Sequence, residues 1–314
     1  MNTSGIDIAA FLTAMLAAGF VAAVPLLLAS LGEAVAEKSG QLNLGIEGMM
    51  LAGAFFGFLV AYNTGSAVWG TLAGIATGVI AGLLFGFLTI TLQVDQTLVG
   101  IAITILGAGL TAFVYRDIFG RENPSADVAL VHVQIPLIKD IPVLGPAVSG
   151  QPVLFYVAYL LIPVFAFLLN RTRFGLEVRA VGEHPFAADA SGVNVAKVRY
   201  LAIIIGGGMA GFAGAYLSVT DLRFFQVGMT VGLGFIGLAI AMVGAWNPYR
   251  IAITAVAFGL LRSLGNGLQI LGVDIRTEFI TMLPYIGIMV ALVLLAGRTA
   301  LPSALGVPYV RGRR

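Results

Sequence analysis

Residues 171–200 read RTRFGLEVRAVGEHPFAADASGVNVAKVRY, and this stretch decides how the rest of the chain folds. Arg171, Arg173, Arg179, Lys197 and Arg199 outnumber Glu177, Glu183 and Asp189 in a polar run set between long apolar segments. In so apolar a chain a basic loop marks the cytoplasmic face of a membrane protein and a docking surface. Its middle predicts a short helix. Pro185 suits a first helical position, Glu183 lies at the positive end of the dipole, and Gly192 supplies the stop. About two turns result, with Ala187, Ala188 and Ala190 small enough for another protein to approach closely.

Working outward, the hydrophobic fraction is 59%, charged residues are 10%, and 41 of 314 residues are glycine. Mean hydropathy is +0.99. A soluble domain cannot hide that much apolar surface, so the class is an all-α, polytopic membrane protein. The formal net charge is only +2 and basic residues lie almost entirely in loops and the tail, so no nucleic-acid partner is indicated. Absence of cysteine excludes disulfides, thiolate metal sites and cysteine nucleophiles. The first residues lack a basic n-region and an A-x-A cleavage pattern, so the first apolar stretch is expected to be a retained helix.

The hydropathy pattern predicts about nine spans, near 9–31, 42–62, 67–92, 97–115, 152–170, 200–220, 230–245, 249–270 and 278–297. With the N-terminus outside and the C-terminus cytoplasmic, eleven basic residues fall inside and five outside, Arg262 lying within a span. Leu92 to Thr97, after the third span, is echoed by Leu271 to Thr277 after the eighth. A Gly-broken helix lies upstream of each, at Gly45-Ile46-Glu47-Gly48 and Gly234-Phe235-Ile236-Gly237. Because the matching pieces run in opposite directions, an inverted repeat is expected. One transmembrane domain, 1–314, then divides into a half-repeat at 9–115, an outer loop at 116–151, a linking span at 152–170, a coupling loop at 171–199, a half-repeat at 200–297 and a basic tail at 298–314. Pro136, Pro142, Pro146 and Pro152 make the outer loop stiff and poorly suited to regular helix, whether it is a lid, a docking surface or a connector.

Gly206-Gly207-Gly208-Met209-Ala210-Gly211 matches G-x-G-x-x-G without the strand a dinucleotide site needs, so Gly207 and Gly211 are read as a helix-packing face. Polar side chains within spans are better candidates, because each is costly in hydrocarbon unless it meets a cavity or a partner. Asn43 and Glu47 lie one turn apart, with Gly45 and Gly48 permitting an unwound backbone. Arg262, Asn266 and Gln269 recur on one face of the eighth span, and Glu47 with Arg262 is a candidate buried pair. Asn43, Glu47, Asn266 and Arg262 are the candidate pathway residues, with Phe55, Phe56 and Phe235 as aromatic contacts. Interhelical bonding without ligand contact explains the same polar residues as readily. Glu33 and Glu37 sit near an interface and are expected to be solvated. His132 and His184 form no metal-spaced or nucleophile–base group, and no G-x-x-x-x-G-K-[ST] is present, so neither catalysis nor nucleotide hydrolysis is expected of this chain.

Lys38-Ser39-Gly40-Gln41-Leu42-Asn43-Leu44-Gly45-Ile46-Glu47-Gly48 resembles the E-[KR]-[SA]-G-x-x-N-[IL]-G-[IVL]-E-G segment of ABC importer permeases for nucleosides, within the branched-chain amino acid, ribose and simple-sugar group. Asp140 to Pro146, Arg171 to Leu176 through Gly182-Glu183-His184-Pro185 with Ala187-Ala188-Asp189, and Gly234 to Ala239 with Trp246-Asn247-Pro248 agree in order. His184 stands where Asn is commoner. The resemblance implies a type II importer permease in a bacterial plasma (inner) membrane. Its implied partners are a second permease, an ABC ATPase, a substrate-binding protein or lipoprotein, and membrane lipid. ATP and Mg²⁺ belong to the ATPase and no cofactor to this chain. Gly182 to Pro185, Ala187 to Asp189 and Gly192 would couple to the ATPase. Simple sugars or riboflavin are alternative substrates, and an ion-coupled carrier or a membrane enzyme is the rival class. A carrier should show several intramembrane acids, where only Glu47 is clearly within a span.

Overall fold

A computed structural model describes residues 8–136, 141–270, 277–295 and 301–310. Helix α1 (Ile8–Lys38) is the axis of the fold, and residues 23–37 are buried without a break. That stretch is enclosed on every side, its polar Ser30, Glu33 and Glu37 included. Around it run α2 (Ile46–Thr64), α3 (Ala67–Gly86) and α4 (Gln96–Phe119). A short α5 (Leu144–Val148) precedes α6 (Val153–Arg171), which leads into α7 (Arg173–Glu183) and α8 (Pro185–Ala190). The chain returns through α9 (Val195–Ala215), α10 (Leu233–Val243), α11 (Pro248–Ile270) and α12 (Thr277–Leu295). One turn of π-helix extends α3 over Phe87–Thr91, and another extends α9 over Tyr216–Asp221.

Six helices among the described residues (α1, α2, α4, α6, and α3 and α9 with their extensions) are long and apolar enough to cross a bilayer. The stretch expected as a span at 230–245 differs. Its helical part, α10, has 11 residues. At 1.5 Å per residue it covers roughly half of a hydrocarbon core about 30 Å thick. The approach to it, 222–232, is non-helical. The expected first span, 9–31, continues as helix to Lys38.

Glycine sets the spacing of the inner helices. A Cβ on Gly207 would strike the Gly78 carbonyl, one on Gly211 the Gly74 carbonyl, and one on Gly53 would lie 2.5 Å from the Gly211 Cα. The α9 face read as a packing surface is therefore where α2, α3 and α9 meet backbone to backbone. Gly45 and Gly48 were expected to unwind the second span. Instead α2 begins at Ile46, the non-helical part precedes it, and Gly48 lies in the helix against Ile103 and Thr104 of α4. Gly234 and Gly237 likewise lie within α10, where they admit α2 and α1 rather than break the helix.

The loops divide between two ends. The outer loop forms a small hairpin, β1 (His132–Val133) antiparallel to β2 (Gln151–Pro152), clasped by the Tyr156 hydroxyl, whose one proton lies within reach of the carbonyls of Val133 and Val148. The loop does contain one helix: α5 accepts Pro146 because a first-turn residue needs no N–H. The loop joins the end of α9 where the Ala126 N–H meets the Arg223 carbonyl at 2.8 Å. At the opposite end α7 and α8 pack with residues 38–43 and 301–310. The second arm of the expected echo, 271–276, lies outside the described residues.

Candidate functional site

Two features stand out as machinery, a helical hairpin at one end and a cluster of buried carboxylates beneath it. The hairpin starts at Thr172, whose hydroxyl accepts the Gly175 N–H at 3.1 Å and starts α7 immediately after α6. A Cβ on Gly175 would collide with the carbonyls of Leu168 and Leu169, so only glycine permits so tight a turn. α7 ends at Glu183, and the single non-helical residue His184 (φ −142°) redirects the chain into α8. Pro185 opens α8 as expected, and Gly192 (φ +88°) follows its end in the left-handed region. Glu183 is therefore the last residue of α7 rather than the first-turn acid of α8.

Between the two short helices lies an open groove of about 660 Å³, lined by Leu176, Ala180, His184, Ala187 and Ala188 among others. Its charged lining is Arg173, Glu177 and Glu183, and Arg171, Arg179 and Lys197 are exposed elsewhere in 171–199. The alanines expected to face a partner separate. Ala187 and Ala190 point outward, Asp189 is half-buried, and Ala188 is 5% exposed, packed inward. Gly182 is a packing residue, since a Cβ there would meet the Lys38 carbonyl. Arg199 was assigned to the basic loop surface, but it lies in α9 with 2% exposure.

The pathway candidates are not brought to one surface. Asn43 precedes α2 instead of sharing a helical face with Glu47. Its Oδ1 accepts the Gly45 N–H at 3.1 Å, and its own N–H donates to Glu33 Oε1 at 3.2 Å. Glu47 reaches across to the start of α10, where Oε1 accepts from Thr230 Oγ1 (2.5 Å) and the Gly232 N–H (2.9 Å), and Oε2 from the Gly234 N–H (2.7 Å). One carboxylate thus sits in the first turn of α2 and caps α10, at two positive helix ends. Arg262 is not its partner. That side chain is exposed on α11 and interacts electrostatically with Asp221. Phe55 is enclosed in an aromatic cluster with Phe56, Tyr115 and Phe225, at centroid distances of 5.0, 6.4 and 5.1 Å. It is 0% exposed, so it packs α2 and meets no solute. Phe56 is half-buried and Phe235 is 45% exposed. The side chains of Asn266 and Gln269 lie outside the described residues.

A short hairpin with a groove thus stands at one end of a multi-helix body whose long helices are apolar enough to cross a bilayer. The family described as branched-chain amino acid transport system / permease component matches residues 15–301. The chain belongs to this family. It is 36% identical to the guanosine ABC transporter permease protein NupQ of Bacillus subtilis, over 98% of this chain and 100% of that protein. It is 32% identical to the nucleoside ABC transporter permease protein NupC of Lactococcus lactis subsp. cremoris, over 92% of this chain and 94% of that protein. TsgC13 of Haloferax volcanii, whose name assigns it as a candidate glucose ABC transporter permease, is 43% identical over 81% of this chain and 77% of that protein. As an ABC permease component this chain is a multi-pass transport subunit, not an enzyme.

The permease contains buried acids that the sequence reading placed in water. Glu33 and Glu37 are both 0% exposed, because α1 continues as the central helix beyond the expected membrane edge. Glu37 accepts from the indole N–H of Trp246, and Glu33 holds the Asn43 backbone. Gln96 Oε1 accepts the Leu42 N–H at 2.7 Å, so residues 39–45 are fastened from both α1 and α4. The signal was present as an i, i+4 acid pair on an apolar helix with a Trp-Asn-Pro downstream. Thr230 carries no such signal. It is one hydroxyl in a Gly-rich turn, recognisable only once the chain folds it onto Glu47. Leu176 and Phe186, 62% and 51% exposed, are apolar groups on the hairpin that a helix-boundary reading passes over.

Proposed function

We propose that this permease, paired with a second permease, forms the membrane pathway of an ATP-driven nucleoside importer. The observation that carries the reading is the groove-bearing hairpin α7–α8, with exposed Phe186 and Leu176 beside charged Arg173, Glu177 and Glu183. An apolar surface of that kind at a membrane protein's aqueous end is a docking face for a soluble partner. An ABC ATPase is the partner whose cycle would move it, holding ATP and Mg²⁺ on its own subunit. Full-length similarity to NupQ and NupC supports nucleosides. The hairpin end is then cytoplasmic and the outer loop faces a substrate-binding protein or lipoprotein, with the N-terminus outside as the distribution of basic residues favours.

Exposed Phe235 and Arg262 are the pathway candidates that face away from this chain, toward the second permease, with Asn266 sharing α11. Asn43 and Glu47 hold the crossing of α2 and α10 behind them. The division into inverted half-repeats at 9–115 and 200–297 belongs to this proposal. The test is uptake by the reconstituted complex with its binding protein. Guanosine and adenosine should be accumulated at the expense of ATP and should raise the binding protein's thermal transition, whereas glucose should not. Glucose accumulation with no nucleoside uptake would favour the sugar reading, which the 43% identity to TsgC13 keeps as the second candidate. Uptake by this chain alone on an ion gradient would overturn both.

A further inference from the structure

Residues 301–310 do not trail from the last helix. They fold back across the coupling hairpin and bind three separate parts of the body. The Ala304 N–H donates to the Gly182 carbonyl in the last turn of α7, at 2.8 Å. Two residues on, the Gly306 N–H donates to the Gly40 carbonyl just beyond α1, at 3.0 Å. Arg199 of α9 donates from Nη1 to the Val307 carbonyl at 3.0 Å. Side chains add to these bonds. Ser303 Oγ donates to Glu183 Oε2 at 2.9 Å, and the Tyr309 ring meets exposed Phe186 of α8 edge-on, with centroids 5.1 Å apart. Ala304 is 5% exposed, so the segment is packed as well as bonded.

The body is shaped for this segment. Gly40 has φ +87°, a left-handed conformation that L side chains rarely adopt, and a Cβ there would lie 2.8 Å from the Ala304 carbonyl. Among the described residues the Val307 carbonyl is the hydrogen-bond acceptor of the Arg199 guanidinium, whose Nε and Nη2 are buried without one. The hairpin needs such a hold. α8 has six residues and joins α7 through one non-helical residue. A helix that short has little stability of its own, so contacts from neighbouring segments help to set its angle to α7.

We propose that residues 301–310 are a positioning strap for coupling. By tying Gly182, Glu183 and Phe186 to Gly40 and Arg199, the strap makes α7–α8 move as one piece with the ends of α1 and α9. A push on the hairpin is then delivered to the central helix instead of being lost in rotation at His184. This rests on the reading that an ABC ATPase docks at α7–α8. The strap's residues need touch neither substrate nor nucleotide.

The experiment uses the whole transporter with its ATPase, partner permease and binding protein. One variant deletes residues 301–310. The other, Gly40→Ala, displaces the strap without removing it. The chain has no cysteine. A spin label on Ala190→Cys, exposed on α8 and outside the groove lining, therefore reports hairpin mobility without background. The strap predicts that the ATPase still copurifies and hydrolyses ATP at its basal rate in both variants. Substrate moved per ATP should fall about tenfold, a coupling loss within the usual range for linked sites. The label should become more mobile. A purely structural segment would lower yield and leave that ratio unchanged. Unaltered transport per ATP in both variants overturns the strap, as does loss of assembly in both, which would make it a building element. If the ATPase fails to copurify even with the unaltered permease, the docking reading itself falls and the strap with it.

Discussion

Replacing Glu47 by Gln tests the claim that one carboxylate joins α2 to α10. Glu47 is 8% exposed and Thr230 is 1% exposed, so the bonds between them are shielded from water. Oε1 takes two donors, Thr230 Oγ1 and Gly232 N, and Oε2 takes the Gly234 N–H. An amide placing its oxygen at Oε1 keeps the first two as neutral bonds, roughly half as strong as charge-assisted ones. Its NH₂ then faces the Gly234 N–H, donor against donor. Leaving that buried donor unpaired costs about 1–3 kcal/mol, and weakening the other two adds about 1 kcal/mol. Removing a charge from a poorly solvated position returns part of this. A net destabilisation of about 2–3 kcal/mol follows, or roughly 30- to 150-fold in the folded-to-unfolded ratio. Thr230→Val should cost about 1 kcal/mol, and the double variant should fall short of additivity by about the same amount. Denaturation in mixed detergent–SDS micelles, followed by tryptophan fluorescence in a Trp69→Phe background that leaves Trp246, measures all three. A Glu47→Gln permease within about 0.5 kcal/mol of the original, or strict additivity with Thr230→Val, refutes the clamp.

Other expectations follow from the same geometry. Ala187→Trp, on the exposed side of α8, should leave the permease folded and abolish ATPase copurification. Ala188→Trp, facing inward, should lower folded yield, so identical behaviour of the two would contradict the orientation of α8. Gly78→Ala should destabilise by more than about 2 kcal/mol, because its Cβ meets the Gly207 carbonyl. Gly109→Ala, which has nothing within 4 Å, should be neutral by the same denaturation assay. Trp246→Phe removes the indole donor from Glu37 and should cost about 1–3 kcal/mol, since a buried carboxylate oxygen loses its partner. Trp246→Phe is followed by circular dichroism, because of the two tryptophans only Trp69 then remains.

Much of the fold was legible because a bilayer leaves few alternatives. Every buried backbone group must be satisfied within a helix, so runs of apolar residues mark helices, and a basic loop separates them. Close packing at Gly207 and Gly211 was equally legible, since glycines at that spacing in a span have little other use. Harder to see was which helix would be central. α1 reads as one apolar span among several, and only tertiary packing reveals that it is enclosed to Lys38. The same cause hid α10, whose 11 residues sit in a run long enough to be taken for a span.

The candidate site was legible in outline and misread in its acids. Hydropathy assigns a carboxylate near a predicted boundary to water, because burial without partners is costly. That rule holds only if partners are absent. Here each acid has at least one partner: Trp246 for Glu37, the nearby Asn43 backbone for Glu33, and the start of α10 for Glu47. Glu33 Oε2 and Glu37 Oε1 are nonetheless buried without one among the described residues. The three acids lie within fifteen residues of one another around the α1–α2 turn, and two of them bond to elements that follow α9. They link the hairpin end of the molecule to the short helix α10, the element whose helical length leaves part of the membrane to non-helical backbone. Irregular backbone at that depth is tolerated where it is enclosed by protein or lines a cavity. A buried carboxylate that satisfies such backbone N–H groups does the work an anion does at a helix N-terminus, and it holds α10 only while its geometry is kept. A change at the α1–α2 turn would therefore be felt first at residues 230–234.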